Sequence, residues 1–113
     1  MRAKLKFSSY KFALKLRVNM KILKTSYQIE VINRVKNIRV EHGVSQMQLA
    51  NILNVSNGQI GNIESTKYSH KYTLSQLYCI CKHFKINITQ IFLPNEGEIT
   101  IDQVIEKIIE YDK

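Results

Sequence analysis

Three amide side chains, Asn57, Gln59 and Asn62, lie close together in a segment with helical spacing. A primary amide both donates and accepts, so it can pair bidentately with the N6 and N7 edge of adenine. Ile60 and Ile63 would fall on the opposite side of the same helix, leaving the amides exposed. The pattern indicates contact with a base edge. A solvated polar face is the plain alternative, and Gln59 could instead serve in helix capping.

Two short helices within residues 45–64 would position these amides. Ser45 is followed three residues later by Gln48, and Ser56 is followed at the same distance by Gln59. This spacing is typical of a capping box, in which the hydroxyl and the Gln side chain each bond the other residue's backbone N–H. Asn54 can adopt the left-handed conformation that ends a helix. Two capped helices joined by a tight turn predict a helix-turn-helix.

The same capping pattern recurs along the whole chain. Six Ser, Thr or Asn residues that can cap a helix have a Gln three positions later, namely Thr25, Ser45, Ser56, Thr73, Asn87 and Thr100. From these starts the sequence predicts helices over 26–42, 46–53, 57–65, 74–84, 88–92 and 101–111. A chain of 113 residues can bury one core, so we expect an all-α fold built on one small domain.

The segment 45–64 carries a family resemblance. Its pattern, S-Q-x-x-L-A-x-x-x-x-V-S-x-x-x-I-x-x-I-E, resembles the XRE family of helix-turn-helix DNA-binding proteins, which includes the lambdoid phage repressors and Cro. The similarity extends over residues 28–93. It implies a five-helix lambda-repressor-like domain at 25–93, after a basic N-terminal extension at 1–24. A linker and an acidic amphipathic C-terminal helix would occupy 94–113.

The resemblance implies a role for each element of the motif. Helix 57–65 would read bases in the major groove through Asn57, Gln59 and Asn62, while helix 46–53 crosses the backbone. The implied phosphate-contacting residues are Gln46, Ser56, Lys67, Tyr68, Lys71 and Lys36. Ordinary solvent-exposed polar residues would look the same in sequence.

Two further features follow from the family pattern. Arg39 and Glu64 would form an ion pair that fixes the recognition helix against the first helix, unless they are two independent surface charges. Gly58 and Gly61 within the recognition helix depart from what a helix prefers, and Thr66 replaces the Gly that is usual after that helix in the family. The two glycines either allow close approach to the bases or shift recognition towards DNA shape.

Charge is distributed unevenly along the chain. Residues 1–24 hold eight Lys or Arg and no acidic residue, residues 25–90 hold seven basic and three acidic residues, and residues 91–113 hold two and six. A mildly basic body suits a surface that faces phosphates. No run of 18 apolar residues occurs, so we expect no membrane span and a cytoplasmic protein that joins the nucleoid when bound to DNA.

The chemistry of an enzyme or a metal site is not indicated. No arrangement suits a nucleophile, a pair of catalytic carboxylates or a phosphate-cradling loop. Cys79 and Cys81 lie two apart on a predicted helix and are expected to be reduced thiols, with Cys81 in the core and Cys79 more exposed. A metal site with His83 is the alternative, although no second ligand cluster exists. We therefore expect no metal, no cofactor and no catalysis.

Both ends of the chain leave alternatives open. Helix 101–111 carries an apolar stripe that would either complete the core or pair with a second copy of the chain, through Ile101, Val104, Ile105 and Ile108. Residues 10–22 alternate apolar and polar side chains. They could form a strand across a dimer or a disordered basic arm, or the native start could be Met20.

The resulting hypothesis is a sequence-specific DNA-binding transcriptional regulator, a repressor of the XRE type. Its partners would be double-stranded DNA and, because two half-sites raise affinity, a second copy of itself. One alternative is an antitoxin that regulates its own operon by the same DNA binding and also binds a toxin protein. The alternative from another class is a protein-interaction module that keeps the fold without DNA binding.

Overall fold

Six α-helices make up the part of the chain that the structure describes. The structure, a computed structural model, describes residues 23–95 and 97–113. No β-strand occurs within these ranges, and the predicted all-α class is confirmed. The segment 10–22, with its alternating side chains, lies outside the described residues. The helices are α1 (Ser26–Glu41), α2 (Gln46–Leu53), α3 (Asn57–Glu64), α4 (Leu74–Phe84), α5 (Thr89–Phe92) and α6 (Ile101–Asp112).

Hydroxyl caps set most of the helix starts. Complete capping boxes are present at Thr25, Ser45, Thr73 and Thr100. Before α5, the Asn87 amide donates to Gln90 Oε1 at 3.0 Å, and Asn87 Oδ1 accepts the Thr89 N–H at 3.0 Å. These bonds satisfy N–H groups that have no partner within the helix, which is why the Gln pattern located the starts.

Helices α1 and α3 both end one residue earlier than predicted. α1 ends at Glu41 rather than at residue 42, because Gly43 takes a φ of 68° and turns the chain. α3 ends at Glu64 rather than at residue 65, since Ser65 has extended backbone angles. α5 starts at Thr89 rather than at residue 88, and α6 runs one residue further than predicted, to Asp112.

The core lies where α1, α2, α3 and α4 meet. Each helix contributes fully buried aliphatic side chains, and the set includes Val31, Val35, Leu49, Ile60, Ile63, Leu77 and Ile80. Burial of one such side chain contributes about 1.5–3 kcal/mol, so this cluster is the main source of stability. The apolar side of α3 is thereby fixed in the interior.

α6 covers one side of this core and is anchored at its C-terminal end. Tyr111 is fully buried, and its hydroxyl donates to the Tyr72 carbonyl at 2.7 Å. The Gln28 side chain in turn donates to the Tyr111 carbonyl at 2.8 Å, which ties α6 to α1. Val104 and Ile108 pack against the core. Helix α6 therefore completes the core, which is one of the two roles predicted for it.

The other side of α6 remains apolar and open. Ile101 is 76% exposed, Ile105 47% and Ile109 55%. The predicted stripe of four residues is thus divided, with Val104 and Ile108 facing the core and Ile101 and Ile105 facing outward. None of the described helices has the length and apolar composition needed to cross a membrane.

Candidate nucleic-acid interface

The turn between α2 and α3 sets the angle of the candidate recognition helix. Asn54 ends α2 in the left-handed conformation, with φ 59° and ψ 45°. The Val55 amide then bonds back to the Ala50 carbonyl at 2.9 Å, which closes the last turn of α2. Asn tolerates this conformation better than most residues because its short polar side chain offsets the steric cost. Ser56 follows at once and caps α3.

The amides of α3 lie away from its buried side. Ile60 and Ile63 are fully buried, whereas Asn57 is exposed and Gln59 and Asn62 are partly exposed. Ser56 Oγ accepts the Gln59 N–H at 3.3 Å, but no capping box forms there. The capping alternative for the Gln59 side chain is therefore wrong, and its amide makes no hydrogen bond among the described residues.

The two glycines of α3 differ in their surroundings. A Cβ at Gly58 would have no heavy atom within 4 Å, whereas a Cβ at Gly61 would lie 3.6 Å from Gln46 Oε1. That distance is an ordinary contact, so packing within this chain requires neither glycine. Their effect is that two positions between Asn57 and Asn62 carry no side chain that could contact a base.

A carboxylate at the end of α3 joins three elements. Glu64 Oε2 accepts from Arg39 Nε at 2.9 Å, and Glu64 Oε1 accepts from Arg39 Nη2 at 2.9 Å. Gln46 Nε2 donates to the same Oε1, also at 2.9 Å, and Arg39 Nη1 donates to the Val44 carbonyl at 2.8 Å. The Arg39 and Glu64 side chains are 9% and 4% exposed. This network, the Glu64 network, links α3 to α1 and to the start of α2.

Tyr72 lies beside the Glu64 network. Burial raises the pKa of Tyr72, and the nearby Glu64 carboxylate raises it further. Its hydroxyl is buried and has no hydrogen-bond partner among the described residues. Tyr72 therefore stays neutral and contributes its ring to the packing below the network.

Of the six residues predicted to contact phosphate, four are exposed and two donate side-chain hydrogen bonds within the chain. Ser56, Lys36, Lys67 and Tyr68 are exposed, and Tyr68 retains 47% of its accessible surface. Gln46 is partly buried and donates one N–H to Glu64. Lys71 differs from the prediction most, because its ammonium donates to the Tyr111 carbonyl at 3.1 Å and lies 5.2 Å from the centre of the Tyr111 ring.

Sequence reasoning missed Lys24, which contacts the end of α3. Its ammonium donates to the Ile63 carbonyl at 2.6 Å and to the Ser65 carbonyl at 2.7 Å. Only 7% of Lys24 is exposed, and burial lowers the pKa of its ammonium. The one sequence signal was indirect. Thr66 stands where a helix-ending glycine was expected, so the last carbonyls of α3 needed another donor.

The cysteines occupy the predicted places. Cys81 is buried and Cys79 exposed, and both are free thiols. Across residues 23–95 and 97–113, no group of three His, Cys, Asp or Glu side chains is arranged to hold a metal ion.

Comparison with known proteins gives one informative match. No family model matches the chain, and no curated protein matches it. Among solved structures, the chain is similar to a point mutant of the restriction-modification controller protein C.Esp1396I, with 25% sequence identity and a TM-score of 0.51. The match covers 79% of this chain and 99% of that chain. The resemblance read from the sequence is confirmed by this match to a controller protein. The chain has an all-α helix-turn-helix fold, similar to that of the controller protein.

Proposed function

We propose that this chain is a sequence-specific DNA-binding transcriptional regulator whose helix α3 enters the major groove. One observation carries the proposal. The α2–α3 unit buries Ile60 and Ile63 and leaves Asn57 and Asn62 on the accessible side, at a fixed angle. The controller protein to which the chain is similar is named for a regulatory role, which supports the same function.

The proposed contacts divide by purpose. Asn57, Gln59 and Asn62 would read base edges, because their amides both donate and accept. Exposed Lys67, Tyr68, Lys36 and Ser56 would contact the phosphate backbone, together with the unpaired N–H groups at the start of α2 beside Gln46. Lys71 would join them only by giving up its bond to the Tyr111 carbonyl.

We propose further that the regulator acts as a homodimer through α6. Ile101, Ile105 and Ile109 present an apolar row on the outer side of the helix. A dimer would offer two recognition helices to one duplex, which is how helix-turn-helix proteins read paired half-sites. Asp102, Glu106 and Glu110 make this helix acidic, and that charge favours a position away from the phosphates.

Repression is the mode of action that the proposal favours over the antitoxin alternative. The structural neighbour is named as a controller, and no comparison supports a toxin partner. The interaction-module alternative would leave the amides of α3 without a purpose, although Asn57 is exposed and Gln59 and Asn62 are partly exposed.

Selection from a random DNA library tests the proposal. The full chain is incubated with the library at two salt concentrations, and bound sequences are recovered and compared. We expect one enriched motif with two-fold symmetry, and a steep loss of affinity as salt rises, since phosphate neutralisation releases counterions. A chain that is folded by circular dichroism but enriches no motif at either salt concentration would favour the interaction-module alternative instead.

A further inference from the structure

The C-terminal end of α3 differs from that of the other helices. At the ends of α1, α2, α4 and α5, the amide of the capping residue donates back to a carbonyl of its own helix. Ser65 after α3 has extended angles, φ −90° and ψ 142°, and makes no such bond. Among helices α1 to α5, α3 is therefore the one without a backbone cap at its C-terminal end.

Lys24, which lies 39 positions before Ile63 in the sequence, supplies the missing hydrogen-bond donor. Its ammonium reaches Ile63 O at 2.6 Å and Ser65 O at 2.7 Å. A cation at this end also interacts favourably with the helix dipole. Because Lys24 is 7% exposed, the ammonium is largely removed from water and the two carbonyls replace its solvent.

We propose that Lys24 is a positioning residue for DNA recognition, which replaces the backbone cap of α3 and holds the end of that helix opposite to Asn57. The proposal rests on the function proposed above. α3 has only eight residues and contains Gly58 and Gly61, each of which costs up to about 1 kcal/mol relative to Ala in a helix. A helix this weak depends on tertiary contacts to stay ordered.

Two contacts hold the last turn of α3 from different sides. The Glu64 network fixes the side chain of its last residue to α1 and α2. Lys24 fixes the main chain at Ile63 and Ser65. Without Lys24 the carbonyls would need water, the last turn would fray, and Asn62 would lose its fixed orientation towards the groove. Selectivity would fall more than general affinity for DNA, since phosphate contacts tolerate a mobile helix.

The test compares three variants of the full chain. Lys24→Met keeps the length of the side chain and removes the donor, whereas Lys24→Arg keeps a charged group with several donors. Lys82→Met is the matched control, because Lys82 is exposed on α4 and makes no hydrogen bond within the described residues. Each variant is measured for affinity to the selected site, affinity to unrelated DNA, and hydrogen exchange of the α3 amides.

We expect Lys24→Met to reduce the ratio of specific to unrelated affinity by about tenfold, in line with loss of one charged hydrogen-bonded contact. The α3 amides should exchange faster, while those of α4 stay protected. Lys24→Arg should recover most of the ratio, and Lys82→Met should change both affinities alike. An unchanged ratio with unchanged α3 exchange in Lys24→Met would overturn the proposal, as would an arginine variant that folds but behaves like the methionine variant.

A second variant covers the case in which Lys24→Met does not fold. Thr66→Gly introduces the residue that most readily ends a helix with a backbone cap. Added to Lys24→Met, it should restore folding and selectivity, whereas alone it should change little because Lys24 already caps α3. Failure of this combination to restore the fold would count against the capping role.

Hydrogen exchange separates this proposal from the function on which it rests. If the wild-type chain selects no DNA site, DNA recognition fails, and with it the role of Lys24 in that recognition. Faster α3 exchange in Lys24→Met would then still show Lys24 acting as a cap. If the wild-type chain selects a site and Lys24→Met keeps full selectivity, the positioning role alone fails.

Discussion

Arg39 on α1 and Glu64 at the end of α3 face each other as a bidentate pair, with both N–O distances at 2.9 Å. Both side chains are nearly inaccessible, at 9% and 4% exposure. A second pair, Glu30 with Arg34 on α1, is far more open, with 58% of the Glu30 side chain exposed. Helix α1 therefore takes part in one buried ion pair and in one exposed ion pair, which can be compared directly.

The Glu64→Gln variant should be destabilised by about 3 kcal/mol, because it leaves the Arg39 guanidinium buried without a countercharge. Glu30→Gln is the matched control, and it should cost less than about 1 kcal/mol since that pair is exposed to solvent. Urea unfolding of both variants measures the difference. Equal losses of unfolding free energy would mean that the Glu64 network contributes no more than a surface pair.

Asn62 and Lys67 should affect DNA binding in different ways. Asn62→Ala should weaken the selected site by about tenfold and relax the preferred base there, because an amide pair to a base contributes about 1–3 kcal/mol. Lys67→Ala should weaken every DNA sequence alike and reduce the salt slope by about 1. Titration of matched and mismatched duplexes at two salt concentrations distinguishes the two. Uniform weakening by Asn62→Ala would remove it from the base-reading set.

The two sides of α6 should separate association from folding. Changing exposed Ile101 and Ile105 together to Ser should shift the chain towards monomer in sedimentation without lowering the unfolding free energy of the monomer. Ile108→Ala is the contrast, since it packs against the core, and it should destabilise the fold by about 2 kcal/mol. A dimer that persists in the double Ser variant would place the dimer contact elsewhere.

Tyr72 and Tyr111 should respond oppositely to loss of their hydroxyls. Tyr111→Phe removes the bond to the Tyr72 carbonyl and should cost about 1–2 kcal/mol, since that carbonyl loses a partner. Tyr72→Phe removes a buried hydroxyl that has no partner among the described residues, so it should be neutral or stabilise by up to about 1 kcal/mol. Thermal unfolding of the two variants decides the order, and the reverse order would mean that the Tyr72 hydroxyl does have a partner.

One of the two thiols should react with a disulfide reagent in the native state. Cys79 is exposed, whereas Cys81 is buried and its thiol pKa is raised by desolvation. The thiolate is the nucleophile, so a raised pKa and burial both slow Cys81 at neutral pH. Cys79→Ser should remove the fast reaction in a colorimetric thiol assay, and denaturant should release one further thiol. Two equally fast thiols in the native chain would contradict the placement of Cys81.

The sequence predicted local features of this fold well because capping is a local interaction. A Ser or Thr three residues before a Gln located the starts of α1, α2, α4 and α6, since both partners lie within one turn. The Arg39–Glu64 pair was anticipated through the family resemblance rather than through spacing. The first kind of prediction needed only four consecutive residues, and the second needed only a sequence pattern shared with a family.

Contacts over long distances could not be predicted in the same way. Lys24 reaches carbonyls 39 and 41 residues away, and Lys71 reaches one 40 residues away. Lys24 and Lys71 read as surface charges in the sequence because their partners are main-chain atoms that carry no residue signature. Helical periodicity likewise identified the apolar stripe of α6 but could not say that Val104 and Ile108 would face the core while Ile101 faces outward.

The carbonyl of Tyr111 connects α6 to the loop that follows the recognition helix. It accepts from Gln28 on α1 and from Lys71 in the loop after the recognition helix, and the same residue anchors α6. A DNA phosphate that draws the Lys71 ammonium away would cost α6 one of its attachments, and the intact attachment makes Lys71 less available to DNA. Linkage makes these two effects equal in free energy, so a phosphate contact by Lys71 and the anchoring of α6 would oppose each other at this residue.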